Sequence, residues 1–320
     1  MAVYTEVSDT DLEAFVAQYD IGDVVSCKGI AEGVENSNYL LQTDQGNFIL
    51  TLYEKRVARE DLPFFLGLMD HLARRDFPCP IPVHGRDGVA LRDLCGRPAA
   101  ITSFLQGMWP RRVKPAHCHA LGSAAARLHL AADGFDLSRA NSMGRAEWRQ
   151  LFDATRDRAG EIHTDLGNIL EKEIDFLSQD WPSGLPHGII HADLFPDNVF
   201  FRHDALSGII DFYFACTGSF AYEIAICLNA WCFESDNSFN ITKASSLIRG
   251  YEIVRPLIPA EIAALPILAR GSAMRFLLTR LYDILNHPEG AMVQPKDPLE
   301  YLAKLRFHQG VSGPEAYGLS

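Results

Sequence analysis

At 320 residues, 48% apolar and 22% charged, the chain has the composition of a globular protein long enough for two domains. A formal net charge of −12 removes any general attraction for nucleic-acid phosphates or anionic membranes, so a small-molecule partner is expected. No apolar run approaches the ~18 residues of a membrane span, an N-terminus carrying Glu6, Asp9, Asp11 and Glu13 is no signal peptide, and seven cysteines without a C-x-x-C pair read as reduced thiols in the cytoplasm.

Ser8 opens a helix whose apolar residues Leu12, Phe15, Val16 and Tyr19 recur at i, i+3, i+4 and i+7. Strands are expected over Val24–Ile30 and Asn38–Thr43, about the polar turn Ala31–Ser37, and over Phe48–Tyr53 after a turn at 44–47. Arg59–Arg75 has helical spacing, with Leu62, Phe65, Leu66, Met69 and Leu72 on one face. Phe77–Pro82 cannot be helix, because each proline removes a donor and restricts its predecessor. Val89–Leu94 and Arg97–Phe104 predict two more strands, after which Gln106, Gly107 and Pro110 break the pattern. Helices follow over 116–132, 146–159 and 166–179. Short apolar strands at 188–191, 198–201 and 208–211 interrupt them before helices return over 221–233, 242–253 and 259–285. A β-rich first hundred residues and a mostly helical remainder predict an α+β fold in two lobes, residues 1–105 and 106–320.

The chemistry-bearing stretch is Ile189-Ile-His191-Ala-Asp193-Leu-Phe-Pro-Asp-Asn198, followed by Ile209-Ile-Asp211-Phe212. A strand delivers His191 and Asp193 to a loop that Pro196 keeps from becoming helix; Asn198 opens the next strand, and a third strand presents Asp211. Asp193, Asn198 and Asp211 are hard oxygen donors of the kind that hold Mg²⁺ against nucleotide phosphates, with one carboxylate left to orient an attacking hydroxyl. The spacing D-x4-N and then D-F matches the catalytic loop and metal-binding Asp of protein kinases.

These motifs, with Gly218-x3-Tyr222-Glu223, resemble the aminoglycoside phosphotransferase and choline kinase superfamily, over about Asp9 to Leu285. Within it, the segments 33–39, 48–54, 61–66, 191–198, 211–216 and 225–234 are similar to the kinase-like homoserine kinase family. The resemblance implies a protein-kinase-like fold, ATP and Mg²⁺ as cofactors, and L-homoserine as the hydroxyl acceptor, phosphorylated for threonine biosynthesis. It makes Asp193 the catalytic base, His191 a loop support, and Asn198 and Asp211 the metal ligands. Glu223, where many relatives carry Asp, is expected to brace the catalytic loop. Gly33, Asn36 and Ser37 fall in the expected nucleotide-covering loop, and Thr102 and Phe104 in the hinge that reads adenine. Thr51 stands where a phosphate-pairing Lys or Arg is usual; either Lys55, four residues on, reaches the phosphates or Thr51 hydrogen-bonds to them instead. Tyr213, Glu234, Arg275 and Arg280 are expected to line the acceptor pocket.

The core motifs alone also admit kinases for choline, hydroxylysine or an aminoglycoside. A metal-dependent phosphohydrolase would use His-x-Asp and a later Asp, but leaves Asn198 and the β-rich lobe without a role. A non-catalytic nucleotide binder is suggested only by Thr51. The oligomeric state is not encoded in any of these features.

Overall fold

The computed structural model describes residues 5–30, 36–54, 57–287 and 295–319. They divide into two compact units: 1–107 with 135–137 and 207–213, and 108–134 with 138–206 and 214–320.

The first unit is β-rich. Helix α1 (Asp9–Val16) is N-capped by the Ser8 hydroxyl, which accepts the Asp11 N–H, and it buries Leu12, Phe15 and Val16 as its period requires. Strands β1 (Val24–Gly29), β2 (Ser37–Thr43), β3 (Gly46–Leu52), β4 (Arg92–Leu94) and β5 (Arg97–Ser103) form one antiparallel sheet in the order β1-β2-β3-β5-β4. Side chains alternate along β2, so Tyr39 and Leu41 join Leu50, Leu52, Ile101 and the α1 residues in a single core. Helix α2 (Leu62–Ala73) covers more apolar surface, including Leu62, Phe65 and Leu72. The strand expected from Val89 begins only at Arg92, because the turn at Arg86–Gly88 holds the preceding residues in a loop.

The second unit is helical. It contains α3 (Pro115–Ala131), α4 (Arg145–Thr155), α5 (Leu166–Asp180), α6 (Phe220–Trp231), α7 (Ile241–Glu252), α8 (Pro259–Leu285) and α9 (Pro298–Gln309). Helices α3 and α7 touch backbone to backbone, because Gly122 and Gly250 leave no side chain between them. Helix α8 packs against α4, α5, α6 and α9. By length and composition it could cross a membrane, contrary to the expectation that no segment approaches a span, but 67% of its apolar window is buried, so it is the unit's core helix. Strands β6 (His187–Ile190) and β9 (Cys216–Ser219) pair antiparallel. Strand β7 (Val199–Arg202) turns at His203-Asp204, both at positive φ, into β8 (Ala205–Ile209), along which the chain passes from the second unit to the first.

Two elements lie outside the sequence prediction. Strand β9 is four residues of Cys-Thr-Gly-Ser with no alternation to reveal it. Helix α9 buries Pro298, Tyr301, Leu302 and Leu305 at helical spacing, but also Lys304 and His308, and those polar residues break the apolar stripe.

Candidate active site

The segment 191–198 is a loop built almost wholly from hydrogen bonds. Strand β6, paired to β9 through Ile190 and Cys216, delivers His191 to its start. His191 Nδ1 accepts the Asp193 N–H at 3.2 Å, so the imidazole supports the backbone that carries the carboxylate. Phe195 N donates to Asp193 O at 2.8 Å, and a 3-10 turn at Pro196–Asn198 brings the Asn198 side chain back. Asn198 Nδ2 then donates to both Asp193 O (2.8 Å) and Asp193 Oδ2 (3.0 Å). The amide therefore fixes the carboxylate and keeps its own Oδ1 as a hard oxygen.

Three buried side chains hold this loop from outside. Glu223 on α6 accepts the N–H groups of His191 and of Ala192, the latter at 3.1 and 3.2 Å. Trp231 Nε1 donates to Leu194 O at 2.7 Å. Arg275 Nη1 donates to Ala192 O at 2.5 Å while its guanidinium lies over the Phe276 ring, 4.6 Å from the centroid. Ala192 sits at φ 63°, a left-handed conformation that an alanine adopts only when its surroundings impose it. Here both its N–H and its C=O are claimed by ionic side chains.

Glu223 is fully buried and so is its neighbour His129 on α3, whose Nε2 lies 3.9 Å from Glu223 Oε2. Burial works to raise the Glu223 pKa, but its two imidazole neighbours, His129 and His191, and the Ala192 N–H outweigh it and hold the carboxyl below its ordinary value. Burial lowers the His129 pKa. The ring is anchored by the Tyr251 hydroxyl, 2.7 Å from Nδ1, and stacks on Phe220 at 4.4 Å. The Glu223 carboxylate thus presents its negative charge to the loop N–H groups of His191 and Ala192.

The first unit holds the residues expected at the nucleotide, together with Asp211 and Tyr213. Asp211 is exposed at φ 64°, and Tyr213, two residues on, shares a hydroxyl contact of 3.2 Å with Tyr53 and packs edge-on to Phe65. Burial pushes the Tyr213 phenol up to about 12. Thr51 is buried and donates to Asn38 Oδ1 at 2.8 Å across the β2–β3 pair, so it fills a structural place in the sheet. Ser37 Oγ donates to Glu54 Oε1 at 2.7 Å, Asn36 Oδ1 accepts the Glu54 N–H at 3.3 Å, and Glu54 pairs with Arg97 at 3.2 Å. Thr102 is buried within β5 opposite Ile49 and bridges Pro82, whereas Phe104 lies past the strand's end and is exposed. Gly33 and Lys55 lie outside the described residues.

Three of the four residues expected to line an acceptor pocket have other engagements. Arg275 donates from Nη1 to the loop carbonyl and is only 2% exposed. Tyr213 is held by Tyr53 inside the first unit. Glu234 is tied to Lys243 (2.7 Å) and Asn240 (2.7 Å) just past α6. Arg280 remains, in a charged cluster with α9. The thiols of Cys216, Cys227 and Cys232 are buried, and burial raises the pKa of each, that of Cys216 to about 12, so none is a ready nucleophile. Among the described residues no three His, Cys, Asp or Glu side chains are grouped to hold a metal, the arrangement a two-metal hydrolase would need. The brace residues Trp231 and His129 escape a motif search, because their roles depend on packing rather than on spacing.

Known proteins resemble the chain over most or all of its length. A model of the phosphotransferase enzyme family matches residues 26–257. Proteins named homoserine kinase from Paramagnetospirillum magneticum and Rhodospirillum rubrum are 65% and 63% identical, each over all of this chain and all of its own length. Among solved structures, an amicoumacin kinase in complex with AMP-PNP and Ca²⁺ superposes with a TM-score of 0.71 at 15% identity, covering 94% of this chain and 92% of its own. The choline kinase of Cryptosporidium parvum does so at 0.63 and 13% identity, covering 89% and 88%. Those likenesses establish a kinase-like fold with a β-sheet N-terminal region and a helical C-terminal region. The two relatives matched over their whole length are named homoserine kinase, and the chain belongs to the phosphotransferase enzyme family.

Proposed function

We infer that this chain is a homoserine kinase, transferring the γ-phosphoryl group of ATP to the hydroxyl of L-homoserine to give O-phospho-L-homoserine and ADP. The observation that carries this reading is the 65% identity to a homoserine kinase over the whole length of both chains. A role in threonine biosynthesis and a cytoplasmic location go with it.

The mechanism follows from the braced loop. The acceptor hydroxyl attacks Pγ in line, the bond from Pγ to the β-phosphate oxygen breaks, and the hydroxyl proton passes to the Asp193 carboxylate. Asn198 Nδ2 keeps that carboxylate aimed, and His191 supports the backbone beneath it. Positioning is most of what such an enzyme contributes, because the phosphoryl transition state needs little covalent help.

ATP and a divalent metal are the cofactors of this class, and we propose Mg²⁺ as the metal. The donor set fits it: the Asn198 amide oxygen left over once Nδ2 is committed, and the Asp211 carboxylate, are both hard oxygens. Mg²⁺ supplies charge neutralisation at the nucleotide phosphates. Phe104 and the chain just past β5 would read adenine, with Gly33, Asn36, Ser37 and Lys55 on the phosphate side.

The test is ADP release by the purified protein with Mg-ATP and L-homoserine, L-serine, hydroxylysine, choline or kanamycin, with phosphorus NMR of the product. Turnover with homoserine well above the others, and a phosphomonoester signal, is expected. Preference for another acceptor would overturn the substrate while keeping the chemistry.

A further inference from the structure

The second unit holds a charged cluster of Arg280, Glu300 and Lys304. One carboxylate there serves two cations: Glu300 Oε2 meets Arg280 Nη1 at 2.6 Å, and Glu300 Oε1 meets Lys304 Nζ at 2.5 Å. The Arg280 and Lys304 side chains are 10% and 5% exposed, and Glu300 is 38% exposed. Both cations lie over the Tyr301 ring, each 4.4 Å from its centroid. The cluster therefore carries one unbalanced positive charge in a largely desolvated place, which is costly unless an anion completes it.

Its surroundings point to the reacting centre. The buried Tyr301 hydroxyl has no hydrogen-bond partner among the described residues. Burial raises its pKa, Arg280 opposes that, and Glu300 and the catalytic carboxylate of Asp193 add to it. Geometry makes the same link: the Tyr301 ring packs on Phe276 (centroids 5.3 Å apart), and Phe276 packs on Phe195 of the loop that carries Asp193 (4.8 Å). Arg280 spends only Nη1 on protein partners, Asp297 O (3.0 Å) and Glu300; among the described residues its Nη2 and Nε have none.

We propose that Arg280, held by Glu300 and Lys304, is the subsite for the α-carboxylate of the amino-acid acceptor. This rests on the homoserine reading above. Arg280 is the ligand, its unspent guanidinium edge meeting a planar carboxylate side-on. Glu300 and Lys304 are positioning residues: Glu300 fixes the guanidinium, and Lys304 restores the positive charge that Glu300 alone would cancel. The hydroxyl end of the acceptor then points to Asp193.

The experiment compares L-homoserine with 3-aminopropan-1-ol, the same amino alcohol without its carboxylate. The readout is the ratio of kcat/KM for the two acceptors on one protein sample, which does not depend on the fraction folded. Arg280→Gln is expected to raise the homoserine KM roughly 10- to 100-fold and to leave the aminopropanol value nearly unchanged, collapsing the ratio. Lys304→Met should move the ratio the same way by a smaller factor, and Lys304→Arg should restore it. A ratio unchanged in both variants, or equal losses for the two acceptors, overturns the subsite. Absence of homoserine turnover in the unmodified protein would instead overturn the underlying reading, and is visible before any variant is made.

Discussion

Both carboxylate oxygens of Glu223 lie within hydrogen-bond reach of the Ala192 N–H, at 3.1 and 3.2 Å, across 31 residues of sequence. Arg275 takes the carbonyl of the same residue from the opposite side. A left-handed alanine next to Asp193, the proposed catalytic base, is thus clamped between a buried anion and a buried cation.

Glu223→Gln keeps one acceptor oxygen but turns an NH₂ toward the second loop N–H. A hydrogen bond to a charged group is worth about 1.5–3 kcal/mol, so kcat should fall roughly 10- to 100-fold if the strain relaxes. KM for ATP should change far less, since the brace acts on the loop that carries Asp193. Steady-state kinetics with ATP and homoserine varied separately check this. An unchanged kcat would show that the loop holds its shape without the anion.

Asp193→Ala removes the proton acceptor and should cost about 10²–10⁴-fold in kcat while Mg-ATP binding, followed by calorimetry, persists. Asn198→Asp is the sharper variant. It preserves size and a hard oxygen, but replaces the Nδ2 donor that holds Asp193 Oδ2 at 3.0 Å with a second carboxylate. Like-charge repulsion should release Asp193, so turnover should drop as far as in Asp193→Ala. Near-normal turnover would mean that Asn198 acts only through its oxygen.

Sequence pattern carried the elements whose causes are local. Helix α1 follows from four apolar residues and a serine cap, and the loop chemistry follows from Asp193, Asn198 and a proline between them. Glu223 was also legible as a brace, because its place in a family motif implied it. Arg275 was not: a cation on a long helix reads equally as ligand or strut, and only the packing of α8 shows that its guanidinium meets a backbone carbonyl. Tyr213 follows Asp211 closely enough to suggest the acceptor pocket, yet its hydroxyl is directed to Tyr53. Helix α9 escaped for a related reason. His308 is buried through partners that the fold supplies, Tyr317 and Asn229, and Lys304 is buried against Glu300 one turn back on its own helix.

The α3–α7 contact gives a stability prediction independent of activity. A Cβ on Gly122 would lie 2.0 Å from Leu247 O, and one on Gly250 would lie 2.1 Å from His119 O. Backbone cannot yield as a side chain does, so Gly122→Ala must push the helices apart, at about 1–3 kcal/mol. Gly160→Ala meets nothing within 4 Å and should be near neutral. Thermal unfolding of both variants separates the two cases; equal Tm values would mean that the helices part without cost.

His308 makes stability depend on pH. It is fully buried, with Nδ1 2.8 Å from the Tyr317 hydroxyl and Nε2 3.1 Å from Asn229 Oδ1. Those partners suit a neutral ring that accepts the phenol proton at Nδ1 and donates from Nε2. Burial, with the charges of Lys304 and Arg270, pushes its pKa down to about 3. The unfolded chain protonates first, near pH 6.5, so the stabilisation is complete above that value and is lost as pH falls toward 3. Well below 6.5 one such histidine costs about 1.4 kcal/mol per pH unit, and His129, also shifted down by burial, acts in the same direction. His308→Gln should therefore be less stable at pH 7.5 but lose stability more slowly between pH 6.5 and 4.5. Urea midpoints across that range are the measurement, and parallel curves for the two proteins would show that His308 is protonated in the folded state.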